Sequence, residues 1–316
     1  MGMGNFRVYH ANCFEWLRDQ PRESVHAVCT DPPYGIVEFL PHEIDKLRAR
    51  KGGVWRIPPR IGGSLRAPLP RFTTLTQDDR EHVEEYFKEF GDLLYPVLVP
   101  GAHVIIAGTP MLQHLVQSGV AAAGFEVRGA VLRLYRGFRG GDRPKLAEKE
   151  FSDVSVTPRG CYEPWMLFRK PISEKTVSEN LRKWKTGALR RFSEDTPFLD
   201  IVQSEKTPTC ESQISDHPTM KPQSFLRLLV RSLLPLEEGI VLDPFCGSGS
   251  TIAACEALGI NSVGIEVDDE YYGQLSDNIS KLSRLYPGNL INWERAQAAV
   301  ATTSSFEQLT PMLFEL

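Results

Sequence analysis

The feature that most constrains the fold of this 316-residue chain is the run from Ile240 to Glu266. Ile240-Val241-Leu242 is a short apolar strand that runs straight into Asp243-Pro244-Phe245-Cys246-Gly247-Ser248-Gly249-Ser250-Thr251. Ile252 to Leu258 follows as a helix, and Ser262-Val263-Gly264-Ile265-Glu266 is a second strand ending in an acid. This is the pattern of a nucleoside-binding βαβ unit. Gly247 and Gly249 let the backbone approach a ligand, and the new helix directs its unpaired N–H groups there. Glu266 is placed to accept hydrogen bonds from both hydroxyls of a ribose. The loop departs from the dinucleotide spacing G-x-G-x-x-G and lacks the lysine of a phosphate-binding P-loop. Adenosine without a pyrophosphate fits better, which makes S-adenosyl-L-methionine the candidate cofactor. The plain alternative is that the glycines serve only a tight strand-to-helix turn.

Elsewhere strands alternate with helices. Strands are expected at Phe6 to His10, Val25 to Thr30, His103 to Gly108, Phe125 to Tyr135 and Tyr162 to Phe168. Asn12 caps a helix start, and a helix from Gln77 to about Tyr95 is expected to stop at Pro96 and Pro100-Gly101. Further helices are expected at Met111 to Ala123, Val177 to Trp184, Gln223 to Leu234 and Asp268 to about Leu282. The order indicates an α/β fold with a mostly parallel sheet, here read as a single catalytic domain over residues 1–316. Residues 37–76 have no sustained period and read as a basic loop insert; 136–160 and 170–216 are further inserts.

The second chemical motif is Asp31-Pro32-Pro33-Tyr34, at the end of the Val25 to Thr30 strand. Neither proline has a backbone N–H. The turn therefore offers acceptors, the carbonyl oxygens and the Asp31 carboxylate, with the Tyr34 ring beside them. A flat group bearing an NH2 has two hydrogens to give and a π-face to stack. It suits this set better than a phosphate or carboxylate would. The alternative is a Pro-Pro turn with Asp31 as a local cap.

A net charge of −4 speaks weakly against a nucleic-acid partner until it is divided along the chain. Arg48 to Phe72 holds seven Lys/Arg and no Asp/Glu; Arg128 to Lys145 holds six against one; Arg169 to Arg191 holds eight against two. An acidic body with three basic segments suits steering toward a polyanion if the segments converge. No run approaches the roughly 18 apolar residues of a membrane span, and the start lacks a signal-peptide core. A cytoplasmic protein that engages no membrane is expected. The six cysteines form no Cys-x-x-Cys pair, so reduced thiols are expected and no metal site.

Together, Asp31 to Tyr34 and Asp243 to Thr251 resemble the paired signature of the amino-group DNA methyltransferases, in the motif order of the β-class. The resemblance covers roughly residues 5 to 282. It implies a Rossmann-like S-adenosylmethionine-dependent methyltransferase fold, with a seven-stranded, mostly parallel sheet of permuted connectivity and helices on both faces. Both motifs would then lie at the C-terminal edge of adjacent strands. It implies that Asp31, Pro32, Pro33 and Tyr34 are catalytic. Asp243, Pro244, Phe245, Gly247, Ser248, Gly249 and Glu266 would hold the cofactor, with Thr219 and Lys221 of His217-Pro218-Thr219-Met220-Lys221-Pro222 near its methionine end and Asn12 near its adenine. The implied partner is double-stranded DNA, met by Arg56, Arg60, Arg66, Arg139 and Arg143, with target recognition by residues 136–160 and 170–216. Asp at the first motif position resembles adenine-specific members, so adenine N6 is the expected target and cytosine N4 the alternative. An RNA or protein-amide methyltransferase and a DNA-binding regulator without catalysis also stay open, as do a homodimer and a restriction or defence partner.

Overall fold

The structure, a computed structural model, describes residues 5–33, 60–61, 64–65, 75–135, 141–215, 217 and 220–286. Tyr34, Thr219, Arg56, Arg66 and Arg139 lie outside the described residues. In chain order the elements are β1 (Phe6–His10), α1 (Cys13–Arg18), β2 (Val25–Thr30), β3 (Arg60–Ile61), β4 (Ser64–Leu65), α2 (Gln77–Val97) and β5 (Leu98–Ala107). Next come α3 (Gln113–Ala122), β6 (Glu126–Leu134), β7 (Tyr162–Arg169), α4 (Val177–Trp184), β8 (Ile201–Gln203) and α5 (Thr209–Ser212). The last are α6 (Gln223–Leu233), β9 (Ile240–Asp243), α7 (Ser250–Ala257), β10 (Asn261–Glu266) and α8 (Asp269–Arg284).

One sheet has the order β1-β10-β9-β2-β5-β7-β6-β8; β3 and β4 form a separate antiparallel pair. All pairs from β1 to β5 are parallel, β7 runs against both β5 and β6, and β8 is parallel to β6. Among the described residues the sheet thus has eight strands where seven were expected. The extra one, β8, is three residues long with only Val202 buried, too short to show a period.

Burial follows the pleat. Along β5, Val104 and Ile106 enter one core with Phe87 and Phe90 of α2, while Ile105 and Ala107 enter a second with Leu226 and Leu229 of α6. Met166 and Phe168 of β7 join the first core, and Trp165 and Leu167 the second. Alternate residues point to opposite faces, and both faces carry helices, so these strands read as continuous apolar runs. Each fully buried Phe contributes about 2–3 kcal/mol.

Pro96 does not end α2. It sits in the last turn, where its missing N–H removes a single bond, and the helix continues to Val97 before β5 begins. β5 also begins five residues earlier than expected, passing through Pro100-Gly101 with a shift of register against β2.

The segment after β7 is tied to the opposite sheet edge from the C-terminal ends of β2 and β9. Asn180 in α4 is fully buried; its Nδ2 donates to Pro100 O (3.0 Å) and Thr186 O (2.8 Å), and its Oδ1 accepts from Ser173 N–H (3.2 Å). Thr186 Oγ1 donates to the same Pro100 carbonyl at 2.7 Å. Asn180→Ala should destabilise the protein by about 2–3 kcal/mol, since it strands buried partners. Urea unfolding checks this, and a loss below about 0.5 kcal/mol, the range of an ordinary surface change, would show that Asn180 does not fasten the segment.

Candidate active site

β2 and β9 are neighbours with Ala27 opposite Val241 and Val28 opposite Leu242, so the segments that follow them emerge side by side. Thr30 Oγ1 donates to Asp243 Oδ1 at 2.7 Å, joining two strand ends 213 positions apart in sequence. Phe245 N–H donates to the same oxygen at 3.2 Å, which turns the chain sharply into the glycine loop. Pro32 and Pro244 are buried beside these ends, Pro33 is exposed and Asp31 is half-buried. Asp31, Asp243, Phe245, Gly247 and Ser248 line one cleft together with Lys221 and His217.

The loop needs its glycines for space. Gly249 begins α7 at φ +80°, and a Cβ there would stand 2.7 Å from Ile279 Cγ1, inside the packing of α8. Gly247, at φ +49°, would place a Cβ 2.8 Å from His217 Nε2. Ser248 and Ser250 share a hydroxyl hydrogen bond of 2.8 Å, and Phe245 packs on Phe90 with ring centroids 5.6 Å apart.

Glu266 ends β10 beside this loop. Its Oε2 accepts from Gly247 N–H at 2.7 Å, and its Oε1 accepts from Val267 and Asp268 N–H, each at 2.9 Å. A carboxylate has about four acceptor positions, so this one is held rigidly and offers about one more in this conformation. A second ribose hydroxyl bond requires a backbone donor to yield. Asn12 stands at the end of β1, where His10 pairs with Glu266 and Ala11 N–H donates to Glu266 O at 3.0 Å. Asn12 is exposed and its Oδ1 caps α1 by accepting from Phe14 N–H at 2.9 Å.

Lys221 is buried, and its Nζ forms ion pairs with Asp31 Oδ2 and, at 3.6 Å, with Glu163 Oε1. Burial opposes its charge, but Asp31 and Glu163 more than offset this and raise its pKa. Glu163, at the start of β7, also accepts from Trp165 Nε1 at 2.9 Å and Arg133 Nη1 at 3.2 Å. Sequence reasoning did not single out Glu163 or Arg133. The only local signal is an acid opening an otherwise apolar strand, Tyr162-Glu163-Pro164-Trp165.

The basic segments are only partly open. Arg169 and Lys170 are buried, Lys170 Nζ donating to Tyr95 O at 2.9 Å and Leu98 O at 2.7 Å; Lys183 and Arg190 pair with Glu174 and Glu237. Arg143 is exposed, and Arg60 belongs to β3. Among the described residues no three His, Cys, Asp or Glu side chains gather as a metal site, and no helix is long and apolar enough to cross a membrane.

Burial pushes the Asp243 carboxyl from 3.8 up to about 6, against the hydrogen bonds from Thr30, Thr251 and Phe245 N–H; the nearby Asp31 adds to the rise. A folded-state pKa above the unfolded one makes this acid a cost to stability. That cost is absent below about pH 4, grows through the window up to about 6 and is full above it, on the order of 2–3 kcal/mol. Asp243→Asn keeps the shape and the Oδ1 acceptor without the charge. Its stability relative to the parent, measured by urea unfolding, should therefore improve by about that amount between roughly pH 4 and pH 7. A constant difference across that range would contradict the burial account.

The model of a family described as DNA methylase matches residues 25–277. The Type II methyltransferase M.HindIII of Haemophilus influenzae is 23% identical, the match covering 84% of this chain and 92% of its own. The Type II methyltransferase M2.DpnII of Streptococcus pneumoniae is 22% identical over 84% of this chain and 85% of its own. Among solved structures, the Thermus thermophilus protein TTHA0409, in complex with S-adenosyl-L-methionine, superimposes with a TM-score of 0.54 at 18% identity, over 89% of this chain and 96% of that one. PvuII DNA methyltransferase, which is cytosine-N4-specific, gives 0.54 at 13% identity over 92% and 90%. These likenesses bear on the fold. The family match begins with the first residue of β2 and runs into α8, so it spans both motifs and the cleft between them. With that match over most of its length, the chain belongs to the N6/N4 amino-group DNA methylase family.

Proposed function

We propose that this protein transfers a methyl group from S-adenosyl-L-methionine to the N6 amino group of an adenine flipped out of duplex DNA at a specific site. The observation that carries the reading is the junction of β2 and β9. Through it Asp31 of the acceptor turn and the glycine loop, whose Gly247 N–H donates to Glu266, open onto one cleft.

The residues present suit the adenosine of the methyl donor. Phe245 offers a ring at the cleft, the loop from Cys246 to Gly249 brings backbone close, and Glu266 is a fixed acceptor for a ribose hydroxyl. When bound, S-adenosyl-L-methionine supplies an electrophilic methyl on a sulfonium, with a neutral thioether as leaving group. The chain's own residues then have to position the acceptor nitrogen. An exocyclic amine is a weak nucleophile because its lone pair is shared with the ring. Asp31 and the Pro33 carbonyl, by accepting its two hydrogens, favour a pyramidal nitrogen whose lone pair points at the methyl; once the N–C bond forms, the nitrogen is cationic and loses one of these protons to solvent. Tyr34 stacks on the base, which costs a few kcal/mol to extract from the duplex. Positioning and electrostatics carry such a step.

DNA contact falls to the segments on the same side of the sheet as Asp31. Residues 136–160 follow the C-terminal end of β6, which is on that side, whereas 170–187 dock at the opposite edge. Arg143, with Arg56, Arg60, Arg66 and Arg139, is assigned to phosphate contact. The same acceptor turn would serve cytosine N4, the specificity of the PvuII enzyme that shares the fold. Adenine is preferred because Asp, at the first position of Asp31-Pro32-Pro33-Tyr34, resembles adenine-specific members.

Asp31→Ala should reduce methyl transfer to duplex DNA by about a thousandfold or more, as removal of a substrate-orienting group does. Its affinity for S-adenosyl-L-methionine by calorimetry should stay within about twofold, a change of less than about 0.5 kcal/mol. Full activity in this variant would refute the acceptor role. Glu266→Ala should weaken donor binding by about tenfold, the loss of one charge-assisted hydrogen bond. Unchanged affinity would remove Glu266 from the cofactor site.

A further inference from the structure

A charge relay that the transfer reaction, as described, does not use reaches the cleft at Lys221 and Asp31. It starts at Arg133 on β6, only 5% exposed, which donates to Ser204 Oγ through Nε (2.9 Å) and to Glu205 O through Nη2 (3.1 Å). Arg133 and Trp165 together clamp one oxygen of Glu163, and the other oxygen faces Lys221 Nζ at 3.6 Å. Lys221 in turn reaches Asp31 Oδ2. Two acids and two bases thus sum to zero charge, and each member is oriented by the one before it. Lys221, Arg133 and the other groups on Glu163 hold its pKa down, against a burial that alone would push it up.

Buried ion pairs of this kind are weak contributors to stability, because desolvation offsets most of their attraction. Their geometric effect is stronger. The carboxylate of an Asp facing a cleft rotates broadly about its terminal torsion. An ammonium fixed on Oδ2 sets the plane of the group and leaves the remaining oxygen to meet the target NH2. An ammonium that is itself anchored does this reproducibly, and a misplacement near 1 Å can cost about a hundredfold in rate.

We propose that Glu163 is a positioning residue for methyl transfer that acts through Lys221, which orients the Asp31 carboxylate toward the target amino group. This rests on the reading of Asp31 as the amine acceptor. It also assigns Lys221 to the substrate side of the cleft, where sequence resemblance had put it near the methionine end of the cofactor.

The test is a double-mutant cycle on kcat with Glu163→Gln, Lys221→Met and the double variant, using duplex DNA and S-adenosyl-L-methionine. Glu163→Gln keeps the shape and the acceptor for Trp165 Nε1, so it preserves the fold better than a truncation. Lys221→Met should lower kcat about a hundredfold and Glu163→Gln about tenfold, as expected of lost orientation. KM for the donor and its affinity by calorimetry should stay within about twofold in both. The double variant should be no slower than Lys221→Met alone, as expected of a residue that acts through Lys221. Losses that multiply in the double variant would mean that Glu163 acts on packing or on another group, and overturn the proposal. So would a Lys221→Met variant that keeps its kcat but binds the donor weakly. Asp31→Ala, run beside them, separates the two claims: if it stays active the acceptor reading falls, and if it is inactive while the cycle is additive only the relay falls.

Discussion

The hydrogen bond from Thr30 to Asp243 is the point on which the rest of the site depends. It joins the ends of two adjacent parallel strands. One leads into Asp31 and two prolines that have no backbone N–H, the other into a loop whose glycines admit close approach. Were β2 paired anywhere else in the sheet, the two motifs would be chemically intact and too far apart to act on one another. The bond is made in a buried setting, where an unpaired hydroxyl or carboxylate would be costly. The same burial that gives the contact its rigidity raises the pKa of Asp243. Order at this junction is obtained at some expense in stability near neutral pH.

Around that junction the charges divide into two groups. Glu266 is held by three backbone donors beside the glycine loop. Asp31 is held by a lysine whose anchor, Glu163, comes from the reversed strand β7. The reversal matters, because β7 runs against β5 and therefore presents its first residues, not its last, at the edge where the parallel strands end. An acid at the start of β7 can thus meet a lysine just ahead of α6. Much of the basic charge near residue 180 is instead engaged with carbonyls and acids of the body, as at Lys170 and Arg190. That part of the charge is tied to the body of the protein.

The sequence discloses the parts with local signatures. The strand, glycine turn and acid from Ile240 to Glu266 could be read directly, as could the acceptor turn at Asp31. Thr176 and Glu179 form a capping box at the start of α4, and this helix has the bounds its spacing predicts. The pairing of the two motifs followed from resemblance, since nothing in the spacing says that β2 lies beside β9. What was not legible is what depends on distant partners. Lys221 and Asp31 are 190 positions apart, and no local pattern connects them to Glu163. β8 is too short to carry a period, and Pro96 misled because a proline in a final turn breaks little.

The central claim is that one cleft presents a base amino group to a sulfonium methyl, and the most direct measurement is the chemical identity of the product. Unmodified genomic DNA incubated with the protein and S-adenosyl-L-methionine, digested to nucleosides and analysed by mass spectrometry, should yield N6-methyladenine at a defined sequence. N4-methylcytosine would keep the cleft and overturn the assignment of the base. A methyl group on a ring carbon, or none on any DNA offered, would contradict the account of an amine held by Asp31.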